Sequence, residues 1–335
     1  MGPIRVVHFH RRPRAVGNQS IETYYRLIRE NTGPEFRVTP FVSRFESKGM
    51  LKRLYNVVEA CFHQGDVNHI TGDVHFLSLL MRKRKTILTV LDCGILKDTT
   101  GWKRKLVKLL WFNWPLRRVS YITAISEATK RDLLGIVKFP AERIKVIHVC
   151  VSPIFKPSPK EFNTTCPRIL HIGTAPNKNL KGTIAALRGI PCTLVVIGKE
   201  SPEEEQFMKD SGLGYEWYKH SLTEEEVYNE YLKCDILSFV SHLEGFGMPI
   251  IEANASGRVV ITGNLSSMPE VAGGAALLVD PFDSKSIRDG FLKLIGDPDL
   301  RHDLVIKGFQ NVKRFSIENL ARQHETLYSE VYATR

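Results

Sequence analysis

Two glutamates, Glu244 and Glu252, bracket seven residues that include Gly245, Phe246, Gly247 and Pro249. The apolar run 236–240 before them reads as a buried strand. The run 249–256 reads as a helix with Gly257 as its stop, and 259–262 as a further strand. A glycine loop feeding a helix N-terminus suits a bound anion, because backbone N–H groups point at it and glycine lets a ligand approach. Lys178, on a loop after the apolar run 168–172, adds a cation. His69, Asp73 and His75 follow or end another apolar run, 67–70, and are candidates to line a ligand cleft. The one D-x-D, Asp297-Pro298-Asp299, lies between two helix-like runs far from the glycine loops, so it reads as a turn with a helix cap and not as a metal site.

The elements that must position these residues alternate. Strands are expected at 4–8, 67–70, 86–91, 121–124 and 145–149, then at 168–172, 193–197, 236–240 and 259–262. Helices are expected at 20–31, 103–112 and 127–134, then at 180–187, 203–211, 224–232 and 284–295. This is the pattern of parallel sheets covered by helices, twice over. A length of 335 residues also favours two domains. The segment 152–160 carries three prolines and marks the boundary. The expected domains are residues 1–152, a linker at 153–165, residues 166–314 and a final helix at 315–335. Two doubly wound halves hold ligands at the carboxyl ends of their strands, with the cleft expected between them.

Composition narrows the class. With 43% apolar and 25% charged residues, no signal-peptide pattern and no apolar run long enough to span a bilayer, the chain is expected to be soluble and globular. Its six cysteines are scattered and without C-x-x-C, which fits buried thiols in a reducing cytosol. Charge is uneven: residues 1–160 hold 29 Lys and Arg against 12 Asp and Glu, a net +17, while 161–335 hold 18 against 24, a net −6. The first half is expected to attract an anionic partner. Within it, the segment 102–112 is basic, amphipathic and aromatic, and with Arg82-Lys83-Arg84-Lys85 it reads as a surface that rests on an anionic membrane; an ordinary surface helix is the other reading.

The run from Glu244 to Ala253, with Ser267 to Gly273 and Val279-Asp280-Pro281, resembles the retaining glycosyltransferases of family 4 (group 1). The resemblance extends over Gly173 to Leu180, over Thr123 to Glu127, and over Gly17 to Glu22, where the family has an N-terminal glycine-rich loop. It implies the GT-B fold, α/β, with two Rossmann-like domains facing across a cleft and a C-terminal helix, opened by Phe315-Ser316, crossing back to the first.

It also implies roles. Lys178 would contact the diphosphate of a nucleotide-sugar donor and Glu244 the hydroxyls of the transferred sugar. Glu252 would bind the ribose hydroxyls, work suited to an acceptor-only group. Gly17, Asn18, Gly173, Thr174, Asn179, Gly245, Phe246 and Gly247 would complete the donor site. Where relatives carry an arginine near the start of the Lys178 loop, this chain has Thr174, so any second cation must come from elsewhere. Where relatives read T-V-H-D, with the histidine on the donor sugar, this chain reads Thr89-Val90-Leu91-Asp92.

The expected activity is retaining transfer of a hexose from a UDP-sugar, with UDP-glucose ranked first and GDP-mannose next. The acceptor is a saccharide or a lipid-linked molecule in polysaccharide or glycoconjugate assembly. Neither metal nor cofactor is expected. The expected location is cytoplasmic, and peripheral at the inner face of the membrane. The alternatives are a sugar-nucleotide epimerase or a phosphorylase on the same fold, and a non-enzymatic basic protein that binds membrane or nucleic acid. No nucleic-acid motif is present, and the acidic second half disfavours a phosphate-tracking groove.

Overall fold

Short runs rich in Val, Ile and Leu, buried on both faces, are stable only as inner strands of a parallel sheet with helices on either side. The computed structural model, which describes residues 2–13, 20–96 and 99–334, builds two such sheets. The chain divides into one unit of Met1–Cys150 with Ile317–Arg335 and a second of Val151–Ser316.

The first unit contains β1 (Ile4–His10), β2 (Phe36–Val42), β3 (Val67–Ile70), β4 (Thr86–Val90), β5 (Tyr121–Ala124) and β6 (Ile144–Val146), in the order β2-β1-β3-β4-β5-β6. All pairings are parallel. The chain leaves β1 toward β2 and returns on the other side as β3, so the sheet reverses direction between β1 and β3. The expected helix at 103–112 is longer: an α-helix, Gly101–Val107, runs into a π-helical turn, Lys108–Asn113. The last helix, Ile317–Ala333, belongs to this first unit, as a helix crossing back requires.

The second unit contains β7 (Arg168–Ile172), β8 (Thr193–Ile197), β9 (Gly214–Tyr218), β10 (Ile236–Phe239), β11 (Val259–Gly263) and β12 (Leu277–Val279), in the order β12-β11-β10-β7-β8-β9. These pairings are also parallel. The reversal lies between β7 and β10. In open α/β sheets ligands bind outside the carboxyl ends of strands at such a reversal.

The stretch 153–165, expected as a linker, is instead part of the second unit. Phe155 is buried edge-on to Tyr228 and Tyr231, with ring centroids 5.6 and 5.5 Å away. Phe162 lies 4.0 Å beneath the Arg301 guanidinium, and Lys160 pairs with the buried Asp235. The prolines mark a strap held by aromatic packing, not a free spacer.

Asp297 behaves as the sequence suggests. It caps the helix Pro298–Val312, accepting from the Leu300 amide at 2.9 Å.

Candidate active site

The loops leaving β7 and β10 flank the reversal in the second sheet, and they carry Lys178 and Glu244. Lys178 ends a short 3₁₀ turn, Pro176–Lys178, and its Nζ lies 2.8 Å from Glu244 Oε1. Both side chains are mostly shielded, 22% and 12% exposed. The lysine Nζ also sits 4.7 Å from the centre of the Phe239 ring at the end of β10. Gly173 makes this possible. Its φ is +94°, and a Cβ there would come within 3.0 Å of the Lys178 side chain. The lysine thus lies folded back over a glycine that only glycine can replace without strain.

Two asparagines lock the loops together. Asn177 donates to Leu243 O at 2.9 Å and accepts from the His242 amide at 2.8 Å. Asn179, in the left-handed conformation at φ 59°, donates to Val240 O and Pro281 O. Asn tolerates that conformation better than most residues. Thr174 donates to Lys199 O at 2.5 Å and so fastens its own loop to the end of β8.

Glu244 is held from a third side. Its carbonyl accepts from the hydroxyls of Ser266, at 2.6 Å, and Ser267, at 3.0 Å; Ser267 also donates to Phe246 O at 2.6 Å. Ser266 takes φ 58°, an uncommon conformation for serine. Its role was invisible in the sequence, where only the match beginning at Ser267 stood out. Gly247, at φ 113°, starts the helix Met248–Ala255, and Phe246 is buried edge-on to Phe315.

Glu252 lies in that helix, and its Oε2 accepts from the hydroxyl of the fully buried Tyr231 at 2.8 Å. Burial pushes its pKa up to about 7, against the lowering effects of the Tyr231 hydrogen bond and the Lys178 charge. One cation therefore acts on both carboxylates of the E-x7-E motif. Buried His171 in β7 also feels it: burial first, then Lys178, lowers its pKa to about 4.

The first unit has its own pocket at the β1–β3 reversal, lined by His10, Arg11, Glu22, Thr71, Asp73 and Leu91. Arg11 bridges Glu22 at 3.1 Å and Asp73 at 2.9 Å. A larger cavity of about 360 Å³ continues past Asp73 and Leu91 to Arg53, His75, Ile95 and Trp111. Asp73 and Leu91 line both spaces, and His75, whose Nδ1–H donates to Trp111 O at 2.8 Å, lines the second. Gly17 and Asn18 lie outside the described residues.

His69 lines neither of these spaces. It is fully buried, with Nδ1 2.9 Å from the Tyr328 hydroxyl and Nε2 2.8 Å from Thr89 Oγ1. The same Tyr328 hydroxyl lies 2.8 Å from His8 Nε2. His324 of the last helix lies 2.8 Å from the Tyr24 hydroxyl. These groups hold the C-terminal helix against the first sheet. Burial lowers the pKa of His8 and His69 well below the ordinary value and that of His324 to about 3. His10 is fixed as neutral by its partners. Arg29 donates to Nε2, so Nδ1 carries the proton and donates to Thr71.

Two doubly wound parallel sheets, the second with a cation–carboxylate pair at its reversal, define an α/β protein of the GT-B kind. Residues 155–311 match the family described as Glycosyl transferases group 1. An O-antigen chain mannosyltransferase B of Escherichia coli is 27% identical over 227 residues, 62% of this chain and 60% of the relative. An MMP alpha-(1->4)-mannosyltransferase of Mycolicibacterium hassiacum is 24% identical over 252 residues, 69% of this chain and 60% of the relative. The chain thus spans 60% of the length of both relatives.

Among solved structures, sucrose-phosphate synthase from Thermosynechococcus elongatus aligns with TM-score 0.77 at 17% identity, covering 99% of this chain and 100% of that one. Anabaena Alr3699/HepE in complex with UDP and glucose aligns with TM-score 0.76 at 17% identity, covering 97% of this chain and 100% of that one. At that identity the likeness speaks for the fold alone.

Proposed function

We propose that the protein is a retaining glycosyltransferase that moves a hexose from a nucleotide-diphosphate sugar to a saccharide or lipid-linked acceptor in polysaccharide or glycoconjugate assembly. The observation that carries this reading is the Lys178–Glu244 pair at the reversal of the second sheet, within the segment that matches the family. In the bond-breaking step the diphosphate oxygen leaving C1 gains negative charge, and Lys178 is preorganised to stabilise it. Glu244, released from the lysine, accepts from sugar hydroxyls, and Glu252 accepts from those of the ribose. The acceptor oxygen attacks C1 from the face the diphosphate leaves, and the acceptor proton passes to the departing phosphate oxygen. No metal or cofactor takes part, because the lysine and helix N-terminus carry the charge compensation.

The names of the sequence relatives support mannose as the transferred sugar, so GDP-mannose moves ahead of UDP-glucose, the donor ranked first from sequence alone. The first unit binds the acceptor in the cavity beside Asp73 and Leu91. The protein works in the cytoplasm, peripherally at the inner face of the membrane, where a lipid-linked acceptor is presented. The test is an NMR product assay with GDP-mannose and UDP-glucose, each with and without a polyprenyl-linked saccharide. The reading expects a new glycoside with the anomeric configuration of the donor. Conversion of the nucleotide sugar without acceptor, or an inverted product, would overturn it.

A further inference from the structure

Two helices of the first unit present apolar side chains to solvent in regular stripes. On the helix Met50–Cys61 and just beyond it, Met50, Leu51, Leu54, Val58 and Phe62 recur at helical spacing. Met50, Leu51 and Phe62 are 88%, 83% and 81% exposed, as a free side chain would be. The second stripe is Trp102, Leu106, Leu110 and Trp114, and Trp102 is 70% exposed. A four-residue spacing drifts around a regular α-helix. The π-helical turn Lys108–Asn113, with more residues per turn, offsets that drift and keeps the stripe on one side. The helix Gly101–Val107 has no buried residue at all.

The stripes adjoin. The turn His75–Leu80 lies between the two helices: Cys61 Sγ donates to Leu80 O, and Ser78 Oγ donates to Pro115 O at 2.9 Å. Leu80 is itself half-exposed, and the Arg53 guanidinium of the first helix lies 5.4 Å from the Trp111 ring of the second. An apolar face of this extent is unusual on a free protein surface.

Charge says what covers it. Residues 101–118 carry Lys103, Arg104, Lys105, Lys108, Arg117 and Arg118 and not one acidic residue. Lys52 borders the other stripe, as does Lys48, which pairs with Glu46 at 3.1 Å and so adds less. The cluster 82–85 contributes less than its sequence suggests, since Lys85 donates to Tyr332 O and Thr334 O and Arg82 to Gly65 O. Apolar and aromatic side chains ringed by cations are the chemistry of an interfacial surface on anionic lipid. Among the described residues no helix is long and apolar enough to cross a membrane, so the contact is one of docking.

We infer that these two helices form a single docking face whose occupant is the surface of an anionic lipid bilayer. This rests on the peripheral-membrane part of the proposed function and deepens it. Arg53, Ile95 and Trp111 also line the cavity that holds Asp73 and Leu91, so the docked face borders the space assigned to the acceptor. A lipid-anchored acceptor then reaches the cavity from the bilayer without leaving it.

The test is sedimentation of the full chain with vesicles of phosphatidylcholine alone and of phosphatidylcholine with phosphatidylglycerol. It compares wild type with Leu51→Glu/Leu54→Glu and Trp102→Glu/Leu106→Glu. Wild type is expected to bind the anionic vesicles, less at high salt, with each variant weakened by at least about 10-fold. Nucleotide-sugar binding and thermal unfolding of the variants are expected to stay as in wild type. Wild type binding neither vesicle would overturn the peripheral reading while leaving donor binding intact. Wild type binding while both variants bind equally well would overturn only the assignment of this face. A solution dimer that the variants dissociate would overturn it in favour of a second copy.

Discussion

Lys178 Nζ and Glu244 Oε1 meet at 2.8 Å, joining the loops that leave β7 and β10 on either side of the sheet reversal. Each group is the other's counter-ion. A donor that brings its own diphosphate and hydroxyls replaces one partner for each. Lys178→Ala removes the cation and leaves Glu244 shielded without it. Transfer rate is expected to fall roughly 10²-fold in single-turnover measurements; an unchanged rate would take Lys178 out of the site.

Gly173→Ala tests how the lysine is placed without removing it. The substituted residue must hold φ +94° and push against the Lys178 side chain. The expected result is a stability loss of about 1–2 kcal/mol in denaturant unfolding, together with weaker nucleotide-diphosphate binding. Unchanged binding would mean that the lysine's folded-back position has no part in donor recognition.

Glu252 gives a pH signature. Its pKa is raised to about 7 from an ordinary value near 4.5, so between those values the folded state binds more protons than the unfolded. Stability from this group is therefore lost as pH rises through that window and is level above it. Glu252→Gln is expected to flatten this fall in melting temperature between pH 5 and pH 8. Because ribose hydroxyls favour the ionised carboxylate, nucleotide binding near pH 6 is expected to release protons. Calorimetry in buffers of different ionisation enthalpy reads that release, and none with an active nucleotide would refute the ribose role.

The buried histidines of the first unit act in the opposite sense. His8, His69 and His324 are held neutral, with pKa values below those of the unfolded chain. Their stability contribution is complete above about pH 6.5 and is lost as pH falls toward the lowered values. Tyr328→Phe removes the hydroxyl between His8 and His69 and is expected to cost about 1–3 kcal/mol in urea unfolding. No loss would show that the two rings find other partners.

Leu91→His places a histidine in the pocket beside Asp73. Donor hydrolysis without acceptor, or transfer with it, is expected to change measurably. An identical rate with every donor would make the departure silent.

The inner strands were legible because each is a short apolar run whose burial leaves no other choice, as in β4 and β10. Among the edge strands β6 was read, at 145–149, but β2, β9 and β12 were not. β2 contains Arg37 and Pro40 and is half-exposed, and β9 is exposed along its first half. The helix Met50–Cys61 was missed because most of its large apolar residues face solvent, only Val57 and Ala60 of its apolar residues being buried, and its N-cap, Gly49, makes no side-chain bond. The glycine loop and its two glutamates could be read locally. His69 could not, since its partner Tyr328 is 259 residues away. Lys85 looked like part of a free basic cluster for the same reason, its acceptors lying at the far end of the chain. Ser266 carried no signal because a serine in a loop rarely has a fixed task.

The central claim is that the second unit binds a nucleotide-diphosphate sugar through Lys178 and Glu252. It is tested most directly by thermal unfolding of wild type, Lys178→Ala and Glu252→Ala with GDP, UDP, ADP and their hexose derivatives. A ligand that binds only the folded state raises apparent stability, and more so the tighter it binds. The account predicts a rise with one nucleotide and its sugar, GDP and GDP-mannose ranked first, that shrinks in both variants. No rise with any of them, or the same rise in all three proteins, would contradict it.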